Sequence, residues 1–129
     1  MNDPIADLIS RIKNGYQARK KIVLAPHSKI KENLCRILTK YGFLKTLKVN
    51  KEKVGLNLEL VLKYDRKMPA ITAIKIISKP GLRVYCKAGE IPRVKMGRGI
   101  TVVSTSAGLM TGREAQKKNL GGEVICQVY

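Results

Sequence analysis

The chain has 129 residues, with 26 Lys and Arg against 9 Asp and Glu and a formal net charge of +17. Its 44% of hydrophobic residues are periodic enough for a modest core, which excludes a disordered basic tail, and no apolar run approaches the roughly 20 residues that span a bilayer. A surface this positive points to nucleic acid, with an anionic membrane surface as the rival, and away from an ordinary small-metabolite enzyme.

Asp3 caps and Pro4 opens a first helix, with Ile5, Leu8, Ile9, Ile12 and Tyr16 at helical spacing; Gly15 weakens it or marks its end. Ile22–Ala25 reads as a short strand closed by Pro26. A second helix begins at His27 or Ser28, carries Ile30, Leu34, Ile37, Leu38 and Tyr41 on one face, and stops at Gly42. Leu44–Val49 and Val54–Tyr64 read as strands, and Leu56, Leu58, Leu60 and Leu62 share one face of the second. Asp65–Ala70 is polar, aperiodic and carries Pro69, which makes it a candidate linker. Beyond it, Thr72–Ile77, Arg83–Cys86, Ile100–Val103 and Glu123–Val128 are short β-rich runs punctuated by Pro80-Gly81 and Gly121-Gly122. Thr111 with Glu114 forms a capping box for one short helix ending near Asn119. The expected fold is α+β in two lobes. An N-terminal α-β-α-β-β lobe covers 1–65, a linker 66–70, and a smaller, mostly β lobe with one helix 71–129.

The charge is not a detachable arm. Residues 1–66 hold 15 basic and 6 acidic side chains, and residues 67–129 hold 11 and 3. Cys35, Cys86 and Cys126 are odd in number and widely spaced, so they read as small buried hydrophobes in a reducing compartment, with no disulfide or zinc spacing. The start MNDPIADLIS lacks the basic flank of a signal peptide. No catalytic constellation is legible. His27 stands alone beside Ser28, Glu90 and Glu123 lack a carboxylate partner, and Gly97-Arg98-Gly99 lacks the third glycine of a dinucleotide loop. No cofactor or metal is expected.

Ser104-Thr105-Ser106-Ala107-Gly108 is the unusual run. Short hydroxyls and exposed amides approach RNA phosphates, 2′-hydroxyls and base edges closely, while an ordinary serine-rich turn is the dull alternative. Lys79, Arg83 and Tyr85 flank the turn at Pro80-Gly81. Arg83 and Tyr85 share strand parity, which suits a phosphate contact beside a stacking ring, or else a solvated Arg beside a core Tyr. Lys29 and Lys31 lie in the first turn of the second helix, where cations oppose the helix dipole and a polyanion would compensate. Arg93, Lys95 and Arg98 surround a glycine-bearing loop.

These residues also carry a resemblance that runs from end to end. It rests on Asp3-Pro4-Ile5-Ala6-Asp7 with Arg11-Ile12-Lys13-Asn14, Ser78–Tyr85, Ile91-Pro92-Arg93-Val94 and Gly97-Arg98-Gly99-Ile100. It is strongest in Ser104–Thr111 with Arg113-Glu114-Ala115, and in Gly121–Cys126. The chain resembles the family of ribosomal protein eight of the small subunit, in its bacterial or organellar form. The resemblance implies a structural protein of the small ribosomal subunit that binds the central domain of its ribosomal RNA directly, early in assembly. It also implies small-subunit proteins of the five and seventeen types as neighbours, and repression of its own operon's messenger RNA in many bacteria. The implied location is the ribosome, in the cytoplasm or an organelle. Carried over, the contact loop maps to Ser104, Thr105, Ser106 and Gly108, with Arg83, Tyr85, Lys79, Lys29, Lys31 and Glu123 as further candidate RNA-binding residues. Ala107 stands where the family often has a basic or amide side chain. Gly112 stands where Asp is common, which should weaken the short helix. A membrane or acidic-protein adaptor is the alternative from another class; it would want one basic amphipathic helix with Trp or Phe anchors, whereas this chain has no Trp, one Phe and basic residues in both lobes.

Overall fold

The structure, a computed structural model, describes residues 3–52, 55–94 and 97–129. Val54 and Lys95, which the sequence reading used, lie outside the described residues. The chain divides into two compact units, one reaching Ile71 and the other beginning at Thr72.

In the first unit, α1 (Pro4–Gln17) starts where Asp3 Oδ1 accepts from Ala6 N at 3.1 Å, and α2 (Lys29–Lys40) starts at the Ser28 cap. Their partner is a three-stranded antiparallel sheet of β1 (Ile22–Pro26), β2 (Thr46–Glu52) and β3 (Gly55–Val61), in the order β1-β3-β2. Pro26 is tolerated because it ends an edge strand. The helices cover one face: Leu8, Ile9, Ile12, Leu34 and Leu38 pack among Val23, Ala25, Leu58, Leu60 and Leu62. Burial of Leu58 and Leu60 stabilises by about 2 kcal/mol each. Leu56 stays exposed at the end of the same stripe. Gly15 does not end α1, because the helix crosses the sheet there. A Cβ at Gly15 would meet Val23 Cγ2 at 2.4 Å and Leu62 Cδ1 at 3.1 Å, so only glycine lets helix and strand come this close. The next residue, Tyr16, is buried, donating to Phe43 O at 2.6 Å and accepting from Lys63 N at 3.1 Å, and burial pushes its phenol pKa up.

The inward face of α2 is rotated from the stripe read in the sequence. Lys31, Leu34, Cys35 and Leu38 point in, while Ile30 is exposed. Counting apolar residues alone hides a lysine whose four-carbon stem packs inward while its ammonium reaches Pro26 O at 3.2 Å. The segment read as a linker is in fact ordered, for β4 (Tyr64–Asp65) and β5 (Met68–Pro69) pair as a hairpin around Arg66 and Lys67.

The second unit is a five-stranded antiparallel sheet. Its strands are β6 (Ile74–Ile76), β7 (Tyr85–Cys86), β8 (Ile100–Thr105), β9 (Gly108–Thr111) and β10 (Gly122–Val128). The order is β6-β10-β8-β9, with β7 also pairing β10. β9 went unread in the sequence. It is four residues long and its last residue, Thr111, also caps α3 (Gly112–Lys117). The full capping box holds α3 despite Gly112: Glu114 N donates to Thr111 Oγ1 at 3.2 Å, and Thr111 N to Glu114 Oε1 at 3.3 Å. α3 packs on β8 and β9, and Ala115 closes a core with Ile91, Val103 and Met110 that Cys86 and Leu120 border. Cys35 and Cys126 are buried free thiols, and burial pushes both up to about 12, which disfavours the thiolate; Cys86 is half-buried.

Candidate nucleic-acid interface

The register of the second sheet sets out a row of side chains. Tyr85 lies opposite Glu123, Glu123 opposite Ser104, and Ser104 opposite Leu109, across β7, β10, β8 and β9. Directly opposed residues of antiparallel strands point to the same face, so these four side chains form one row about 14 Å long. The next residues along point the other way: Val103 and Met110 enter the core beneath α3, and Val124, opposite Val103, is buried. Tyr85 is 70% exposed and the rest of the row is half-buried. Arg83 Nη1 donates to Glu123 Oε2 at 3.3 Å, which places a guanidinium beside the row. Ser78 orders the strand entry, its Oγ accepting from Val84 N at 3.0 Å. Lys79 and Leu82 exchange backbone bonds around Pro80-Gly81, so Lys79 sits exposed at the turn leading into Arg83.

Two glycines make this packing possible. A Cβ on Gly122 would lie 2.1 Å from Ser104 O, and one on Gly121 would lie 2.6 Å from Cys86 O. The sequence showed the pair only as punctuation, whereas the fold uses it to bring β10 against β8 and β7.

Beyond the row, β8 and β9 turn at Ser106-Ala107, with Thr105 opposite Gly108. The hydroxyl run is therefore the end of one strand plus a hairpin tip. Its members differ. Thr105 Oγ1 donates to Gly108 O at 2.8 Å and accepts from Ala107 N at 3.1 Å, so this hydroxyl builds the turn. Gly108 supplies the left-handed backbone, φ +107°, that the return strand needs. Ser106 is exposed at the tip and Ser104 lies in the row; neither hydroxyl has an intramolecular hydrogen bond among the described residues.

The structure thus brings together Arg83, Tyr85, Ser104, Thr105, Ser106, Gly108 and Glu123, with Lys79 at the adjoining turn. It adds Leu109, which the sequence gave no reason to single out because its strand was not foreseen. Lys29 and Lys31 belong to the first unit. Lys29 is exposed at the start of α2, whereas Lys31 is only 6% exposed and tied to Pro26 O, so its charge is not offered to a surface ligand. His27 and Arg36 flank Glu32, and the His27 ring hydrogen bond, then Arg36, holds that carboxyl below its ordinary value. No group of three or more His, Cys, Asp and Glu side chains among the described residues is placed to hold a metal ion. No helix among them is long and apolar enough to cross a membrane.

The row thus sets an exposed aromatic ring, a guanidinium held by a carboxylate and short hydroxyls on one face of the second sheet. Comparison with known proteins identifies the family. The family model of ribosomal protein S8 matches residues 3–129. Proteins named small ribosomal subunit protein uS8 match over the full length: 50% identity in Clostridium beijerinckii, covering 100% of this chain and 98% of the relative. The relative in Caldanaerobacter subterraneus is 49% identical over 100% of this chain and 98% of its own length, and that in Thiobacillus denitrificans 47% over 99% and 98%. The chain belongs to the ribosomal protein S8 family, whose members are ribosomal structural proteins and not enzymes.

Proposed function

We propose that this chain, a structural constituent of the small ribosomal subunit, binds the central domain of the small-subunit ribosomal RNA through the row and hairpin tip of its second unit. The observation that carries the reading is the register that aligns Tyr85, Glu123, Ser104 and Leu109 beside the Ser106 tip. A-form RNA hides its major groove and displays 2′-hydroxyls and base edges across a wide, shallow minor groove. Long cations would hold the sheet away from that surface, whereas Ser104 and Ser106 let it approach. Tyr85 offers a face for an unstacked base. Glu123 accepts hydrogen bonds from hydroxyl or amino donors, and its charge is balanced by Arg83. Exposed cations over both units, Lys29 and Lys79 among them, neutralise phosphates without reading sequence. Binding the folded RNA in preference to its alternatives stabilises that fold during assembly. The protein works in the cytoplasm as part of the ribosome, and its own operon's messenger is a second target wherever it presents the same RNA shape.

Crosslinking the tagged chain to RNA in cells, then digesting and sequencing the bound fragments, tests this. Central-domain fragments should be enriched over the rest of the same ribosomal RNA. Even recovery along that RNA, or capture of lipid or protein without RNA, would overturn the reading.

A further inference from the structure

Three long cations of the first unit occupy left-handed backbone: Arg19 (φ 58°), Arg66 (φ 51°) and Lys67 (φ 68°). Elsewhere among the described residues that conformation falls to Gly42, Gly55, Gly97, Gly108 and Asn119, which adopt it at little cost. The helix ends make the contrast direct. α2 ends with Phe43 N donating to Leu38 O and Gly42 N to Thr39 O, and α3 with Leu120 N to Ala115 O and Asn119 N to Gln116 O. α1 ends in the same motif, Lys20 N to Gly15 O and Arg19 N to Tyr16 O, with Arg19 where the others place Gly42 and Asn119. The β4–β5 hairpin repeats the choice. Its two-residue turn needs positive φ at both central positions, for which Asn-Gly is the favoured pair, and it holds Arg66-Lys67.

These three strained cations converge. The Arg19 guanidinium donates to Lys67 O, and Tyr64 Oη donates to Lys20 O at 2.7 Å, so the α1 terminus and the hairpin stand side by side. Arg19, Lys20, Lys21, Arg66 and Lys67 are all exposed, Lys63 is half-buried, and Asp65 is the one carboxylate on these two segments. No ion pair among the described residues involves any of them. Local backbone energetics favours glycine or asparagine at all three positions, and no ion pair among the described residues compensates the cations found there. Strain of this kind persists where function depends on the side chain.

We infer that the α1 terminus and the β4–β5 hairpin form a second polyanion-binding surface, on the first unit, that grips RNA phosphates. It rests on the RNA-binding reading above but is separate from the β8–β9 tip, and it contributes affinity without sequence preference.

The test replaces Arg66-Lys67 with the pair the turn prefers, Arg66→Asn with Lys67→Gly, in the full chain. Binding is titrated with salt against a central-domain RNA fragment and a scrambled RNA. The melting temperature should rise by roughly a few degrees as strain is relieved, so misfolding cannot account for lost binding. Affinity should fall several-fold on both RNAs, and the slope of log K against log salt should shrink by roughly two units, one per phosphate contact. Unchanged affinity and slope would overturn the inference. Wild-type protein in the same titration separates the two readings: if it fails to prefer the central-domain fragment, the proposed function falls; if it prefers it and the variant keeps the full slope, only the second surface falls.

Discussion

At the tip of the β8–β9 hairpin the left-handed position is a glycine, Gly108, and Thr105 ties the turn from within through Ala107 N and Gly108 O. At the tip of β4–β5 the left-handed positions are Arg66 and Lys67, and the turn is held from outside by Arg19. The first tip is self-sufficient and carries small polar groups; the second is strained and carries charge. On the proposed reading, the difference separates two ways of meeting an RNA. A pre-built turn with short hydroxyls can follow a shape, since nothing long stands between backbone and ligand. A turn that accepts strain to hold cations attracts any phosphate backbone alike.

Breaking the platform of the first tip has the largest expected effect. Gly122→Ala puts a methyl group against Ser104 O, a contact neither backbone can relieve without separating β8 from β10. We expect a loss of about 3 kcal/mol or more in chemical denaturation, with collapse of RNA binding, while the β4–β5 hairpin variant gains stability. A Gly122→Ala protein as stable as wild type would show that the strands are not so tightly joined.

A subtler change sharpens the comparison. Thr105→Val keeps the β-branched shape but leaves Ala107 N and Gly108 O without the hydroxyl. Stability should fall by about 1 kcal/mol, and preference for cognate RNA should fall with it because the tip loses its fixed form. If cognate preference survives intact, Thr105 is not positioning the tip.

The smallest effect is electrostatic and lies in the first unit. Glu32 is held below its ordinary carboxyl value by the His27 hydrogen bond and by Arg36, so the folded state binds its proton less readily than the unfolded chain. Its contribution to stability is therefore present above about pH 4.5 and is lost as pH falls through the lowered folded value. The stability gap between wild type and Glu32→Gln, followed by denaturant midpoint, should be constant near neutral pH and close below pH 4.5. A gap that persists in acid would remove Glu32 from the account.

Much of this was legible in the chain, and the remainder has identifiable physical causes. Asp3 and Thr111 announced the first and third helices, and the start of the second was narrowed to His27 or Ser28, because capping is a local contract between a side chain and the next few amides. The Leu58–Leu60–Leu62 stripe announced a sheet with one covered face. Strand β9 was hidden because four residues cannot display a period, and the β4–β5 hairpin because it lacks the Asn-Gly signal of its turn. Lys31 was misplaced because its helix face was judged by head group and not by stem. The row proposed to meet RNA is invisible in sequence for a different reason. It depends on the register of four strands, and that register shifts at the irregularity between Val124 and Cys126, so spacing alone never aligns Glu123 with Ser104 and Tyr85. The hydroxyl run could be singled out, but the division of labour within it, Thr105 building and Ser106 presenting, required the hydrogen bonds.

The central claim, that the second unit reads RNA by shape while scattered cations only attract it, is tested most directly by one set of binding titrations. Ser106→Ala and Lys29→Ala are compared with wild type on a central-domain RNA fragment and on a scrambled RNA. Ser106→Ala should lose about 1–3 kcal/mol on the cognate fragment alone, with its salt slope unchanged. Lys29→Ala should weaken both RNAs equally and lower the slope by roughly one unit. Equal losses on both RNAs for Ser106→Ala, or wild-type binding by that variant, would contradict the account.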